Sequence, residues 1–254
     1  MGNKILIQPR VFHVAMDYSN MELFDRLIEE VDETRMPNNE KLCILRRFHY
    51  RYGNQEKLTV ERYSHAIDRL KPNLNRTIYC QTLLTNLVNQ SESEKVSKFI
   101  EYLLSRPDVK VNQADRNTGF PALQSMFCNL WNNDTVNVKR VKRLLDAGAK
   151  WNIVKKKNKR NVLQEMVMEA SYSNSFDLHL QYLLFNTDID MDHKDKDGKT
   201  VLDLSVERIQ AEKDLYEKRK NDKSSFYHYE PTEDDINKAM QVHELIASRI
   251  IGGI

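Results

Sequence analysis

Leucines recur along the chain at a fixed interval: Leu83, Leu123, Leu163 and Leu202 are 40, 40 and 39 residues apart. Paired leucines keep the same interval, with Leu103-Leu104, Leu144-Leu145 and Leu183-Leu184 spaced 41 and 39. A polar landmark keeps it too. Asn112, Asn152 and Asp192 are 40 apart, each preceded by an apolar residue, Val111, Trp151 or Met191. Three independent landmarks in one period predict stacked supersecondary units, none able to bury its apolar face alone. Within a unit, Val141-Lys142-Arg143-Leu144-Leu145 reads as a helix that ends at Gly148, where the lack of a Cβ permits a left-handed cap. The chain then extends and turns at a polar tip. Asp115-Arg116-Asn117-Thr118-Gly119 and Asp195-Lys196-Asp197-Gly198-Lys199 carry that turn chemistry. Apolar helices restart at Ala122-Leu123 and Val201-Leu202, so the predicted order is helix, helix, hairpin, helix.

These residues resemble the ankyrin repeat. Pro121-Ala122-Leu123-Gln124, Asn161-Val162-Leu163-Gln164 and Thr200-Val201-Leu202-Asp203 are similar to the family's helix-start motif Thr-Pro-Leu-His. Gly148 to Asn152 is similar to its helix-end motif Gly-Ala-Asp-Val-Asn, with Lys150 in place of Asp. Phe12-His13-Val14-Ala15, Ser19-Asn20-Met21-Glu22-Leu23 and Leu27-Ile28-Glu29 resemble its paired helices. The resemblance implies an all-α, ankyrin-like solenoid of antiparallel helix pairs joined by hairpins. It covers residues 1–254 as one domain, with units at about 8–36, 37–75, 76–115, 116–155 and 156–195 and a modified capping unit at 196–254. The family's unit is about 33 residues. The surplus lies between paired helices: Phe12 to Leu27 is 15 residues, whereas Leu83 to Leu103 and Leu163 to Leu183 are 20. Asn89 to Ser93 and Ser171 to Ser175 are polar and read as the inserted loops. With seven glycines in the chain, several hairpins must turn without one.

The last unit is patterned differently. Val201 to Lys220 carries a thin apolar stripe, Val201, Leu204, Ile209 and Leu215, among many charges. Thr232-Glu233-Asp234-Asp235 reads as a helix start, with acids at the positive end, and Ile236, Met240, Val242, Leu245, Ile246 and Ile250 would dock that helix. Such a segment gives a repeat stack an end that tolerates water.

Composition narrows the function. The chain has 254 residues, 30% charged, with a formal net charge of +2, which gives no global case for nucleic acid or anionic membrane. No run approaches 18 apolar residues, and the first seven residues lack a signal-peptide core, so an intracellular setting, cytoplasmic or nuclear, is expected. Gly2 lacks the Ser or Thr that myristoylation wants, since Leu6 stands there. Cys43, Cys80 and Cys128 are too few and too far apart for a disulfide framework or zinc knuckle. Asp188 to Asp192 fails as a calcium loop, because His193 and Lys199 stand where Gly and Glu are required. No metal, cofactor or catalytic constellation of nucleophile, base and oxyanion donor is expected.

Two clusters remain. Lys155-Lys156-Lys157-Asn158-Lys159-Arg160 falls at a hairpin tip, either as a solvated end or as a contact for an acidic partner, nucleic acid or the import machinery. Arg46-Arg47-Phe48-His49-Tyr50-Arg51-Tyr52 mixes cations with rings, as single-strand binders do. On a helix, however, Leu42, Leu45 and Phe48 share one side and the arginines the other, which is ordinary amphipathicity. The resemblance implies a non-enzymatic protein-binding module, an adaptor, scaffold or inhibitor. Its hairpin tips and first helices would line a concave groove: Gln113, Arg116, Asn117, Ile153, Lys155, Lys156, Lys157, His193, Lys194 and Lys196. The basic tips predict a partner with an acidic segment. Phe226, Tyr227 and Tyr229 form a loop that either anchors a partner, as a second candidate site, or folds back to cover the last helix. The alternatives are a nucleic-acid binder using residues 46–52 and 155–160, and a pathogen effector using the same repeat surface on a host protein.

Overall fold

The structure, a computed structural model, describes residues 7–18, 20–49, 58–128, 136–169, 174–221 and 232–252. Its elements are helices: α1 (Pro9–Asp17), α2 (Met21–Glu30), α3 (Asn38–Arg47), α4 (Val60–Leu70), α5 (Leu83–Val88), α6 (Glu94–Ser105), α7 (Ala122–Cys128), α8 (Val138–Asp146), α9 (Val162–Glu169), α10 (Asn174–Asn186), α11 (Val201–Asn221) and α12 (Glu233–Gly252). The architecture is all-α, with helix pairs in the repeating order that the leucine period predicts. The described residues form two compact units, one within Met1–Met126 and Asn137–Ala149, the other within Phe127–Val136 and Lys150–Ile254.

In the first unit, α1, α3 and α5 pack in one row and α2, α4, α6 and α8 in a second. Each pair is closed by its own contacts, α1 on α2, α3 on α4 and α5 on α6. The seam between the rows is apolar, and edge-on rings run along it. Phe12 meets Phe24 at 6.0 Å, Phe24 meets Phe48 at 5.5 Å, and Phe48 meets Tyr63 at 5.3 Å. Such pairs add about 0.5–1.5 kcal/mol beyond area burial, and they recur because each of the first two repeats offers two inward rings, Phe12 and Phe24, then Phe48 and Tyr63. Side-chain caps start the helices: Asn20, Thr59, Thr82, Ser93 and Asn137 each accept from a backbone N–H three residues on. Residues 89–93 connect α5 to α6 as the predicted loop. Arg140 is buried at 1% exposure, held by Gln90 O at 2.9 Å and by the Glu92 carboxylate. The inserted loop is therefore fixed by a salt bridge from α8.

The helix predicted through residue 48 ends at Arg47. Phe48 and His49 instead make tight turns, with their N–H groups bonded to Leu45 O and Arg46 O. The cause is side-chain demand: Phe48 is fully buried, and the His49 ring is drawn inward by Asn86 Oδ1 at 2.9 Å and Tyr63 OH at 3.0 Å. Tyr50, Arg51 and Tyr52 lie outside the described residues.

In the second unit α9 packs on α11 and α10 on α12, the same two-row plan. Phe127 packs against Trp151 at 5.4 Å, His179 at 5.4 Å and Tyr182 at 5.9 Å. The long α11 and α12 lie on one another and close the unit. Thr232 and Asp235 bond reciprocally at the start of α12, a capping box where the sequence placed a helix start. No helix among the described residues is long and apolar enough to cross a membrane.

Candidate functional site

The segments between helix pairs turn at tips whose geometry repeats. Counting four residues back from Leu83, Leu123, Leu163 and Leu202 gives Tyr79, Gly119, Lys159 and Gly198. All four have positive φ, at 46°, 77°, 60° and 77°. Two repeats fill this left-handed slot with glycine. The other two place a full side chain there, at an ordinary cost of about 1–2 kcal/mol.

The tip of residues 78–81 is a two-residue reversal. Ile78 N–H bonds to Gln81 O at 2.7 Å, and Gln81 N–H to Ile78 O at 3.0 Å. Cys80, its second central residue, also has positive φ, at 70°. Two successive positive φ values are the mark of a type I′ turn, which usually takes Asn-Gly or Gly-Gly. Tyr79 is 71% exposed, with the Arg46 guanidinium 4.8 Å from its ring centre and Cys43 Sγ 3.8 Å from its hydroxyl. The Cys80 carbonyl accepts from Arg116 N–H at 2.7 Å and Asn117 N–H at 3.2 Å. Successive tips are thereby linked through backbone. Asp115 holds the next tip, accepting at Oδ1 from Thr118 N–H at 2.7 Å and its hydroxyl at 3.0 Å. Burial raises the Asp115 pKa against these bonds.

The second unit repeats the scheme. Lys155 N–H bonds to Arg160 O at 2.9 Å, and Lys196 N–H to Asn158 O at 2.9 Å. Asp195 Oδ1 accepts from Asp197 N–H at 2.9 Å and Lys199 N–H at 3.1 Å, and Oδ2 from Arg160 Nε at 3.2 Å. Desolvation opposes ionisation of Asp195, but the Lys199 and Asp197 N–H groups and the Arg160 charge outweigh it and lower its pKa.

The expected partner residues fall at these tips with different freedom. Arg116 and Asn117 in the first unit, and Lys156, Lys157 and Lys196 in the second, are exposed on tips with bonded backbones, and Lys194 is exposed just before the last of these. Gln113 is half-buried and donates to Ala114 O at 3.1 Å; Ile153 is half-buried. His193 Nε2–H donates to Lys159 O at 2.6 Å. Lys155 is turned inward onto the carboxylate of Glu165, which is buried. Phe226, Tyr227 and Tyr229 lie outside the described residues. Of the cation–aromatic run, Phe48 and His49 are core residues, Arg47 pairs with Asp17, and Arg46 faces Tyr79.

Sequence reasoning passed over Tyr79 and Cys80, because Thr77-Ile78-Tyr79-Cys80-Gln81 holds no Gly, Asn or Asp. The usable signal was the leucine period, which aligns Tyr79 with Gly119 and Gly198. A separate cavity of about 260 Å³ in the first unit is lined by Phe48, His49, Ser93, Lys95 and Phe99 among others. Burial pushes the Lys95 amine down to about 8, and its Nζ stands 5.5 Å from the Phe99 ring centre.

No protein-family model matches the sequence, and no curated protein does. Solved structures do match. One, described as EF0377, an ankyrin repeat protein, is 15% identical over 80% of this chain and 93% of its own, with a TM-score of 0.51. The ankyrin repeat domain of Bcl-3, described as a unique member of the IkappaB protein family, is 16% identical over 76% of this chain and 92% of its own, with a TM-score of 0.44. The helix pairs agree with the first likeness, and the chain has the ankyrin-repeat fold.

Proposed function

We propose that the chain, residues 1–254 taken as one ankyrin-like repeat domain, is a non-enzymatic binding module. It engages another protein through its hairpin tips, as adaptor, scaffold or inhibitor. The observation that carries this reading is the pre-ordering of the tips. Arg116, Asn117 and Lys196 bond through their own backbone N–H groups to the preceding tip, Lys156 and Lys157 extend from the turn that Lys155, Lys159 and Arg160 close, and Lys194 stands exposed two residues before Lys196. Their side chains still lose entropy on binding, but the backbone beneath them is already ordered, and preorganisation of that kind is what separates a binding surface from a solvated loop. The positive side chains favour an acidic segment as partner.

The test is affinity capture with the full chain beside a variant carrying Lys156→Ser, Lys157→Ser, Lys194→Ser and Lys196→Ser. These four are exposed and leave the inward Lys155 and Arg160 pairs intact. A protein recovered by the wild type and lost from the variant is the expected result. Recovery of nucleic acid alone, removed by salt, would replace the reading with the nucleic-acid one.

A further inference from the structure

We infer that Tyr79 is the anchor of a peptide-docking surface on the first unit, and that its occupant is an acidic segment of a partner protein. The inference rests on the binding-module reading and assigns it a site and a chemistry. Its basis is a juxtaposition. The two central positions of the 78–81 turn hold Tyr79 and Cys80 at φ 46° and 70°, where glycine sits without cost. Of the three equivalent slots, Gly119 and Gly198 hold glycine and the third holds Lys159, so the repeat itself has no need of a side chain there. At Tyr79 the chain presents an aromatic ring at 71% exposure on a rigid turn. A local conformational cost concentrated on an exposed ring is the signature of a site whose work lies outside the folded chain. Rigid tyrosines are also the residues that bring the most contact area for the least ordering entropy.

The surroundings select the partner. Arg46 lies 4.8 Å from the ring centre, and the backbone of Arg116 is tied to Cys80 O at 2.7 Å. Arg76 and Arg116 are both exposed on the loops that meet here. The stretch of residues 71–82 contains no Asp or Glu. On the neighbouring tip, Asp115 is buried and bonded inward to Thr118. The Arg46 guanidinium thus lies against the ring, two further exposed arginines stand on the adjoining loops, and neither tip carries an exposed carboxylate. An apolar side chain would lie on the ring, and carboxylates beside it would pair with Arg46 and Arg116. Arginine suits this role because its planar fork meets a carboxylate two-to-two.

The experiment selects fluorescein-labelled dodecapeptides from a random display library on the immobilised full chain, then measures their affinity for variants. The expected peptides are rich in Asp and Glu, bind more weakly as salt rises, and lose about 30-fold in affinity on Tyr79→Ala, the size of a hot-spot loss. Tyr79→Gly should lose binding equally while melting close to the wild type, because it relieves the turn; a role confined to folding would give the opposite pair of results. Arg46→Ala should cost several-fold and flatten the salt dependence. Peptides unaffected by Tyr79→Ala and Tyr79→Gly but lost on changing Lys156, Lys157, Lys194 and Lys196 to Ser would overturn the inference and leave the binding-module reading standing. Selected peptides without acidic enrichment, or displacement of them from Tyr79 by an oligouridylate, would also overturn it.

Discussion

Asn152 and Asp190 are joined across 38 residues by a hydrogen bond from the Asp190 N–H to Asn152 Oδ1, at 2.8 Å. The other half of the same amide, Nδ2, donates to Asp188 O at 3.1 Å. One side chain therefore satisfies a donor and an acceptor of the next repeat. Equivalent links occur in the first unit: Asn75 bonds to Lys110 N–H at 2.6 Å and Asp108 O at 2.7 Å, and Asn112 donates to Gly148 O at 2.9 Å. Asn152→Ala should lower unfolding free energy by about 1 kcal/mol, the net value of an exposed bonded amide, because water reaches the orphaned groups. Asn152→Asp keeps the acceptor, turns a charge onto the Asp188 carbonyl, and should lose more than Ala. Urea midpoints check both; an unchanged midpoint for Ala would mean the amide is ornamental.

Cys80→Gly should stabilise the fold. A non-glycine residue at φ 70° bears about 1–2 kcal/mol of strain, and glycine returns about 0.5–1 kcal/mol of that as unfolded-state entropy. The net gain is about 0.5 kcal/mol. Cys80→Val, β-branched in the same slot, should destabilise. Thermal melts of the two variants should move in opposite directions; movement of both downward would show that the thiol, not the backbone, matters there.

Acid should act through His49. Its ring is fully buried between Asn86 of α5 and Tyr63 of α4, with Arg46 of α3 and Lys95 of α6 as the charges facing it. Nδ1–H donates to Asn86 Oδ1, and Nε2 accepts from the Tyr63 hydroxyl, whose pKa is raised by burial, so the neutral ring fits both partners. Desolvation first, then the positive neighbours, push its pKa from 6.5 to about 3 against the Asn86 bond. Between those values the unfolded chain binds a proton that the folded chain does not, so stability falls as pH drops from 6.5 towards 3. His49→Gln should flatten the slope of unfolding free energy against pH in that window. An unchanged slope would locate the acid sensitivity in the carboxylates instead.

The repeat was legible because its landmarks are structural. Leu83, Leu123 and Leu163 have no exposed surface, and Asn112 and Asn152 make the bonds between repeats. Glycine marked the slots at 119, 148 and 198. What escaped were features whose cause is distant. Tyr79 and Lys159 fill a glycine slot with residues of no turn propensity. Arg140 looks like one more surface cation of a basic helix, yet its partners Gln90 and Glu92 lie about 50 residues upstream. The end of α3 at Arg47 was set by where Phe48 and His49 must be buried, which helical periodicity alone does not encode.

Lys155 belongs to that hidden class and separates the basic run into two kinds of residue. Its ammonium pairs with Glu165, whose side chain is 2% exposed and whose Oε2 also accepts from Asn158 Nδ2 at 3.1 Å. Lys156 and Lys157, next in sequence, are exposed. Lys155→Ser strips a buried carboxylate of its cation and should cost about 3 kcal/mol. Lys156→Ser and Lys157→Ser should each stay within about 0.5 kcal/mol of the wild type. Adding Glu165→Gln to Lys155→Ser removes the stranded charge and should recover part of the loss. Denaturant midpoints of the four variants beside the wild type decide it: equal midpoints across the three single lysine variants would return Lys155 to the solvated face, and with it to the partner surface.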